Sequence, residues 1–266
     1  MLEAFIIYLL LGCFAGFVAG LLGVGGGLVI VPVLVLAFQM QGFDSTTIMH
    51  LALGTSLATI VLTAISAVLA HHRRGVVDWS IVRRLSIGLL LGGFLGAVLA
   101  DFIRSDALKQ FFVFFELAVA VYMMAGTPVL HRVLDVAIRR LELFFVGNVI
   151  GAFSAILGIG GGTMTVPYLC WRGCNMRQAV AISSACGLPI ALAGGVGYLW
   201  VGLDAVPLPP MATGYIYWPA VFGIVATSLV FAPLGARMAH HLPVTQLKRV
   251  FGVVLLLMAF MMINIQ

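Results

Sequence analysis

Two stretches of this sequence combine residues that ordinary helices avoid. Gly20 to Leu34 reads GLLGVGGGLVIVPVL, and Ala155 to Leu169 reads AILGIGGGTMTVPYL. Each places three consecutive glycines, Gly25, Gly26 and Gly27 or Gly160, Gly161 and Gly162, four residues ahead of a Val-Pro pair. Three adjacent glycines do not form one face of a helix, which favours a functional use for them over the alternative of close helix packing. They do supply bare backbone. N–H groups at the start of a helix have no intrahelical partner and carry partial positive charge, which draws anions. Two such starts facing one cavity would hold a small oxyanion without any charged side chain. Thr163 and Thr165 follow the second motif, and Thr55, Ser56, Ser183 and Ser184 lie in a weaker repeated block, ALGTSL against AISSAC. These hydroxyls read either as donors to the same ligand or as groups bonding back to their own helices.

Other chemistry is sparse. Glu116 stands near the middle of an apolar run, where a carboxylate is by default a functional group such as a proton relay. Its mate in the repeat described below is Leu255, and a helix–helix or dimer contact explains it equally well. The nine carboxylates are scattered, with no His-x3-His or Glu-x-x-His spacing. A membrane enzyme would want a nucleophile–base pair or a metal cluster, so no catalytic residue, metal or cofactor is expected. The four cysteines form no disulfide framework, and zinc normally needs four ligands, which CWRGC does not offer.

These residues must be positioned by membrane-spanning helices. The chain has 266 residues, 62% of them hydrophobic and 9% charged, where a soluble domain carries about 25% charged residues. The net charge of +5 does not indicate nucleic acid, because the basic residues sit between apolar runs rather than on one face. Apolar runs near the spanning length of about 20 residues recur from end to end, so residues 1–266 read as one transmembrane domain. Ten helices fit, at roughly 3–22, 27–40, 46–70, 81–103, 108–129, 140–158, 162–172, 178–202, 216–238 and 244–264.

The two glycine motifs are offset by 135 residues, and Trp79 with Trp218, Gly96 with Gly235, and LKQFF with LKRVF share an offset of 139. The chain is therefore two related halves, 1–131 and 140–266. If all ten helices cross, Arg104 and Lys109 fall on one side and the other twelve of the fourteen basic residues on the other. If the short helices after the glycines do not cross, the fourteen divide equally. The positive-inside rule prefers ten crossings. Five crossings per half invert the second half relative to the first, as in secondary transporters, and bring the glycine-rich broken hairpins together near the bilayer midplane. Gly12-x3-Gly16-x3-Gly20 and Gly147-x3-Gly151-x3-Ala155 read as helix-packing faces.

Two copies of Gly-x-Gly-Gly-Gly-x3-Val-Pro, each followed by an ALGTS-like block, resemble the TauE/SafE sulfite exporter family of membrane transporters. The resemblance covers essentially the whole chain. It implies a multi-pass protein of the bacterial cytoplasmic membrane that moves small sulfur-containing anions such as sulfite, sulfonates or sulfoacetate. Ser183-Ser184-Ala185 departs from Gly54-Thr55-Ser56, which argues against symmetric roles for these hydroxyls. A passive anion channel is the alternative to a carrier. An inside-negative potential drives a monovalent anion outward by about 2.3 kcal/mol per 100 mV, which favours export.

Overall fold

A computed structural model describes residues 2–22, 26–73, 75–125, 140–239 and 244–264. Gly25 and the junction between the halves, 126–139, lie outside them. Ten α-helices occupy the described residues. They are α1 (Leu2–Leu22), α2 (Gly27–Met40), α3 (Ile48–Arg73), α4 (Trp79–Asp101) and α5 (Ser105–Met124), then α6 (Arg140–Ile156), α7 (Gly162–Trp171), α8 (Met176–Val201), α9 (Trp218–Ala239) and α10 (Val244–Asn264). The expected helices hold to within a few residues.

Local chemistry sets several boundaries. Asp78 starts α4 by accepting from the N–H groups of Ser80 (2.9 Å) and Ile81 (3.3 Å), and Asn175 starts α8 by accepting from Gln178 N–H at 2.9 Å. α7 stops at Arg172 because Gly173 takes φ 95°, while Cys174 N–H returns to Leu169 O (3.0 Å) and Gly173 N–H to Cys170 O (3.1 Å). That is a Schellman ending, which satisfies the last carbonyls of the helix.

Small residues set the packing. Gly16 of α1 lies against α9, where a Cβ would stand 2.6 Å from Ser228 Cα, and Ser228 Oγ donates to Gly12 O at 3.0 Å. α4 meets α6 through Gly147 and Gly151, and through its own Gly88, Gly92 and Gly96, which make room for the backbone of Phe144, Asn148 and Ala152. The expected faces are therefore confirmed at Gly12, Gly16, Gly147 and Gly151, and the three α4 glycines are added to them. α3 packs on α8, with Gly54 beside Tyr198 Cβ (3.0 Å) and Gly194 beside Leu57 Cδ1 (2.8 Å). As one number rises the other falls, so these two helices are antiparallel. α5 packs on α10, α2 on α3, and α7 on α8. Each of these contacts has its counterpart when α1–α5 are exchanged for α6–α10.

The exterior is apolar. Leu91, Leu95, Leu99, Phe114, Val196, Trp200, Phe222, Leu257 and Phe260 are all exposed, which a water-facing surface does not tolerate as a continuous coat. Five of the described helices are long and apolar enough to cross a membrane. The protein is an α-helical membrane protein. One element departs from all-helix: between α8 and α9, after a short 3-10 turn at Gly202–Asp204, β1 (Ala212–Thr213) pairs antiparallel with β2 (Ile216–Tyr217).

Candidate anion site

The two glycine turns meet. Gly26, at φ 74° and ψ −14°, is in the left-handed region that favours glycine, and its carbonyl accepts from Val29 and Ile30 N–H at 3.0 Å each to launch α2. A Cβ on Gly27 would stand 2.7 Å from Ile159 Cα and 2.8 Å from Gly158 O. Backbone therefore touches backbone, and only glycine fits. In the second turn, Gly158 N–H bonds Ala155 O (3.0 Å) and Ile159 N–H bonds Ser154 O (2.9 Å), which closes α6. Gly160, Gly161 and Gly162 then lead into α7 and are all buried, with Thr165 N–H returning to Gly161 O at 2.8 Å. Pro32 in α2 and Pro167 in α7 each remove one more helical donor.

The hydroxyls divide into two groups. Ser56 Oγ donates to Gly158 O at 2.7 Å, Thr55 Oγ1 accepts from Tyr217 N–H at 3.0 Å, and Ser184 Oγ bonds back to Val180 O at 2.9 Å. Those three are committed to the fold. Thr163, Thr165 and Ser183 have buried hydroxyl oxygens with no partner, and so has Ser154. All four lie in the second half, on α6, α7 and α8. Ser154 escaped notice in the sequence because it precedes the motif. The signal was a serine one turn before the glycine turn whose mate at offset 135 is Ala19.

Orphan hydroxyls are costly inside a protein, each about 1–3 kcal/mol, and one of them, Thr165, stands where α7 starts against α8. A Cβ on Gly161 would lie 2.7 Å from Ile190 Cδ1 and 3.0 Å from Thr165 Oγ1, so α7 begins against α8. Ser183 and Ile190 are seven residues apart on α8 and share a face. Gly187, between them, is buried, yet a Cβ there would meet no atom within 4 Å. Space is left beside unpaired donors and the start of a helix.

Polar and aromatic contacts tie the elements together near the start of α3 and near the end of α7. At the N-terminal end of α3, the hairpin folds over Gly54, whose missing side chain makes room for the carbonyl of Tyr215. Tyr215 OH donates to Asp101 Oδ1 at 3.0 Å. Burial, and then the Asp101 carboxylate beside it, push the phenol above its usual value and keep it a donor. The Tyr217 ring packs against Tyr8, Phe38 and Phe43 at 5.3–6.1 Å. At the end of α7, Arg172 pairs with Glu142 at 3.0 Å, and Tyr168 OH donates to the same carboxylate at 3.0 Å.

Among the described residues no group of His, Cys, Asp or Glu is placed to hold a metal. The fold and site define a polytopic membrane protein built around a polar centre that carries no charge. The chain belongs to the family described as sulfite exporter TauE/SafE, whose model matches residues 8–262. It is 36% identical over 262 residues, 98% of this chain and 99% of the relative, to a probable membrane transporter protein of Haemophilus influenzae. It is 28% identical to a probable membrane transporter protein of Methanocaldococcus jannaschii over 81% of this chain and 84% of that one. No solved structure matches it. The protein is a membrane transporter, not an enzyme.

Proposed function

We propose that the protein is a secondary carrier that exports small sulfur-containing anions, such as sulfite, a sulfonate or sulfoacetate, across a bacterial cytoplasmic membrane. The observation that carries this reading is the contact of Gly27 with Gly158 and Ile159 beside four unpartnered hydroxyls. Helix-start amides and neutral hydroxyls stabilise a compact oxyanion, whereas a phosphate would call for guanidinium or ammonium groups. Glycines 26, 27, 160, 161 and 162 present backbone, and Thr163, Thr165, Ser183 and Ser154 donate; Gly25 belongs to the same motif.

The antiparallel run of α3 and α8 supports two inverted five-helix halves. These would be parallel if the short α2 and α7 were re-entrant. Alternating access then follows from rocking one half against the other around the fixed site. In such a carrier the Tyr215–Tyr217 hairpin and the Glu142–Arg172 pair are the contacts that would gate the two sides.

The test is a ligand panel on purified protein. Sulfite or sulfoacetate should raise the unfolding temperature by mass action, and phosphate, an amino acid and a divalent cation should not. Proteoliposomes should then show saturable flux and counterflow of the stabilising anion. Stabilisation by the cation alone would overturn the anion reading, and flux without saturation or counterflow would indicate a channel.

A further inference from the structure

Glu116 is wholly buried, with 0% of its surface exposed, and neither carboxyl oxygen has a hydrogen-bond partner. It lies on α5 within the apolar cluster that holds Phe112, Val113, Ala120, Leu255 and Ala259. A carboxylate in such surroundings, without a counter-charge, is far more costly than a neutral carboxylic acid.

Among the described residues no counter-charge is at hand on the elements packed against α5. On α10 the basic positions are Lys248 and Arg249 at its first turns, at least six residues from Leu255. On α3, His50 already donates through Nε2 to Ala100 O and Ile103 O at 3.1 Å each, and His71, His72 and Arg73 lie at the opposite end. On α5 itself, Asp106 and Lys109 are seven or more residues before Glu116 and Tyr122 is six after it. α10 also packs on α2, the helix that begins at Gly26 and Gly27. One helix, α10, thus touches both the seam that encloses Glu116 and the helix that the first glycine turn begins.

Resting on the carrier reading, we propose that Glu116 is the proton-binding group of this transporter, so that one proton travels with each anion. In the enclosed arrangement Glu116 holds its proton. When the halves rock, the seam opens to water on one side and the proton exchanges there. Charge balance fixes the consequence. A divalent anion with one proton still carries one negative charge per cycle, so the membrane potential continues to favour exit. A monovalent anion with one proton moves electroneutrally, so its export is driven by its own outward gradient working against or with the pH gradient, and the membrane potential no longer contributes.

Two measurements test this. Infrared spectra of the purified protein in lipid at neutral pH should contain a protonated carboxyl band that Glu116→Gln removes; an ionised Glu116 overturns the proposal. In proteoliposomes holding a pH dye, net sulfoacetate flux by the wild type should move protons. Glu116→Gln, which stays permanently neutral, should lose net flux at least tenfold while sulfoacetate exchange, which needs no net proton movement, stays within about twofold. A merely structural Glu116 would lose both together or neither, and either result overturns the proposal. If Glu116→Gln does not purify, Glu116→Asp should shift the pH midpoint of net flux, and an unchanged midpoint counts against the inference. Saturable flux without proton movement in the wild type overturns the coupling alone. Absence of saturable flux for every anion overturns the carrier reading and the coupling with it.

Discussion

Ser56 Oγ donates to the carbonyl oxygen of Gly158 at 2.7 Å, a bond between residues 102 positions apart. It ties α3 of the first half to the glycine turn of the second and gives that turn's buried carbonyl a fixed donor. Ser56→Ala would leave the buried carbonyl unsatisfied, at about 1–3 kcal/mol. Thermal unfolding in detergent should show the loss. Unchanged stability would mean that the turn is held by other contacts.

The meeting of the two turns predicts a contrast between glycines. At Gly27 an added methyl runs into the backbone of Ile159 and Gly158, which cannot swing aside, so Gly27→Ala should destabilise by about 1–3 kcal/mol and weaken anion binding as well. Gly161 has φ −59°, and its nearest obstacle is the flexible end of Ile190. Gly161→Ala should therefore purify with near-normal stability and bind the anion less tightly, because the methyl stands at the start of α7. Equal stability loss in both variants would remove the distinction.

Unpartnered hydroxyls make a prediction of opposite sign from ordinary buried ones. Replacing an unsatisfied donor by an apolar group of similar shape is neutral or stabilising. Ser183→Ala and Thr165→Val should thus leave the unfolding temperature unchanged or raised. If those hydroxyls donate to an anion, each bond is worth about 1.5–3 kcal/mol, so affinity should fall by about 10- to 100-fold. Thermal unfolding of each variant without sulfoacetate and along a sulfoacetate titration reads both effects. Lower stability with unaltered affinity would assign them to the fold.

Topology is open to direct measurement. If all ten helices cross, as proposed, the α3–α4 connection at Gly75 and the junction at Arg139 are expected in the cytoplasm, and the α8–α9 hairpin at Thr213 outside. Single cysteines at Gly75 and Thr213, on a background without the four native ones, should be labelled by an impermeant reagent only from the inside and only from the outside, respectively. Labelling of both from one side would mean that α2 and α7 do not cross.

Helix positions and the packing glycines were legible in the sequence, because each is set by local or periodic properties. An apolar run of spanning length forms a helix in lipid whatever its neighbours, and a small residue every fourth position marks a close-packed face wherever its partner lies. The glycine triplets were legible as exceptions to that rule. What only the tertiary structure decided was which hydroxyls are free. Thr55, Ser56 and Ser184 look no different from Thr163, Thr165 and Ser183 in one dimension, and the first three are occupied by Tyr217, Gly158 and Val180. Ser154 and the space beside Gly187 were invisible for the same reason. The enclosure of Glu116 also needed the fold, since a carboxyl in an apolar run is solvated or isolated according to what packs against it. Hydrogen-bond partners and voids arise between segments distant along the chain, and sequence periodicity reports only what a segment does by itself.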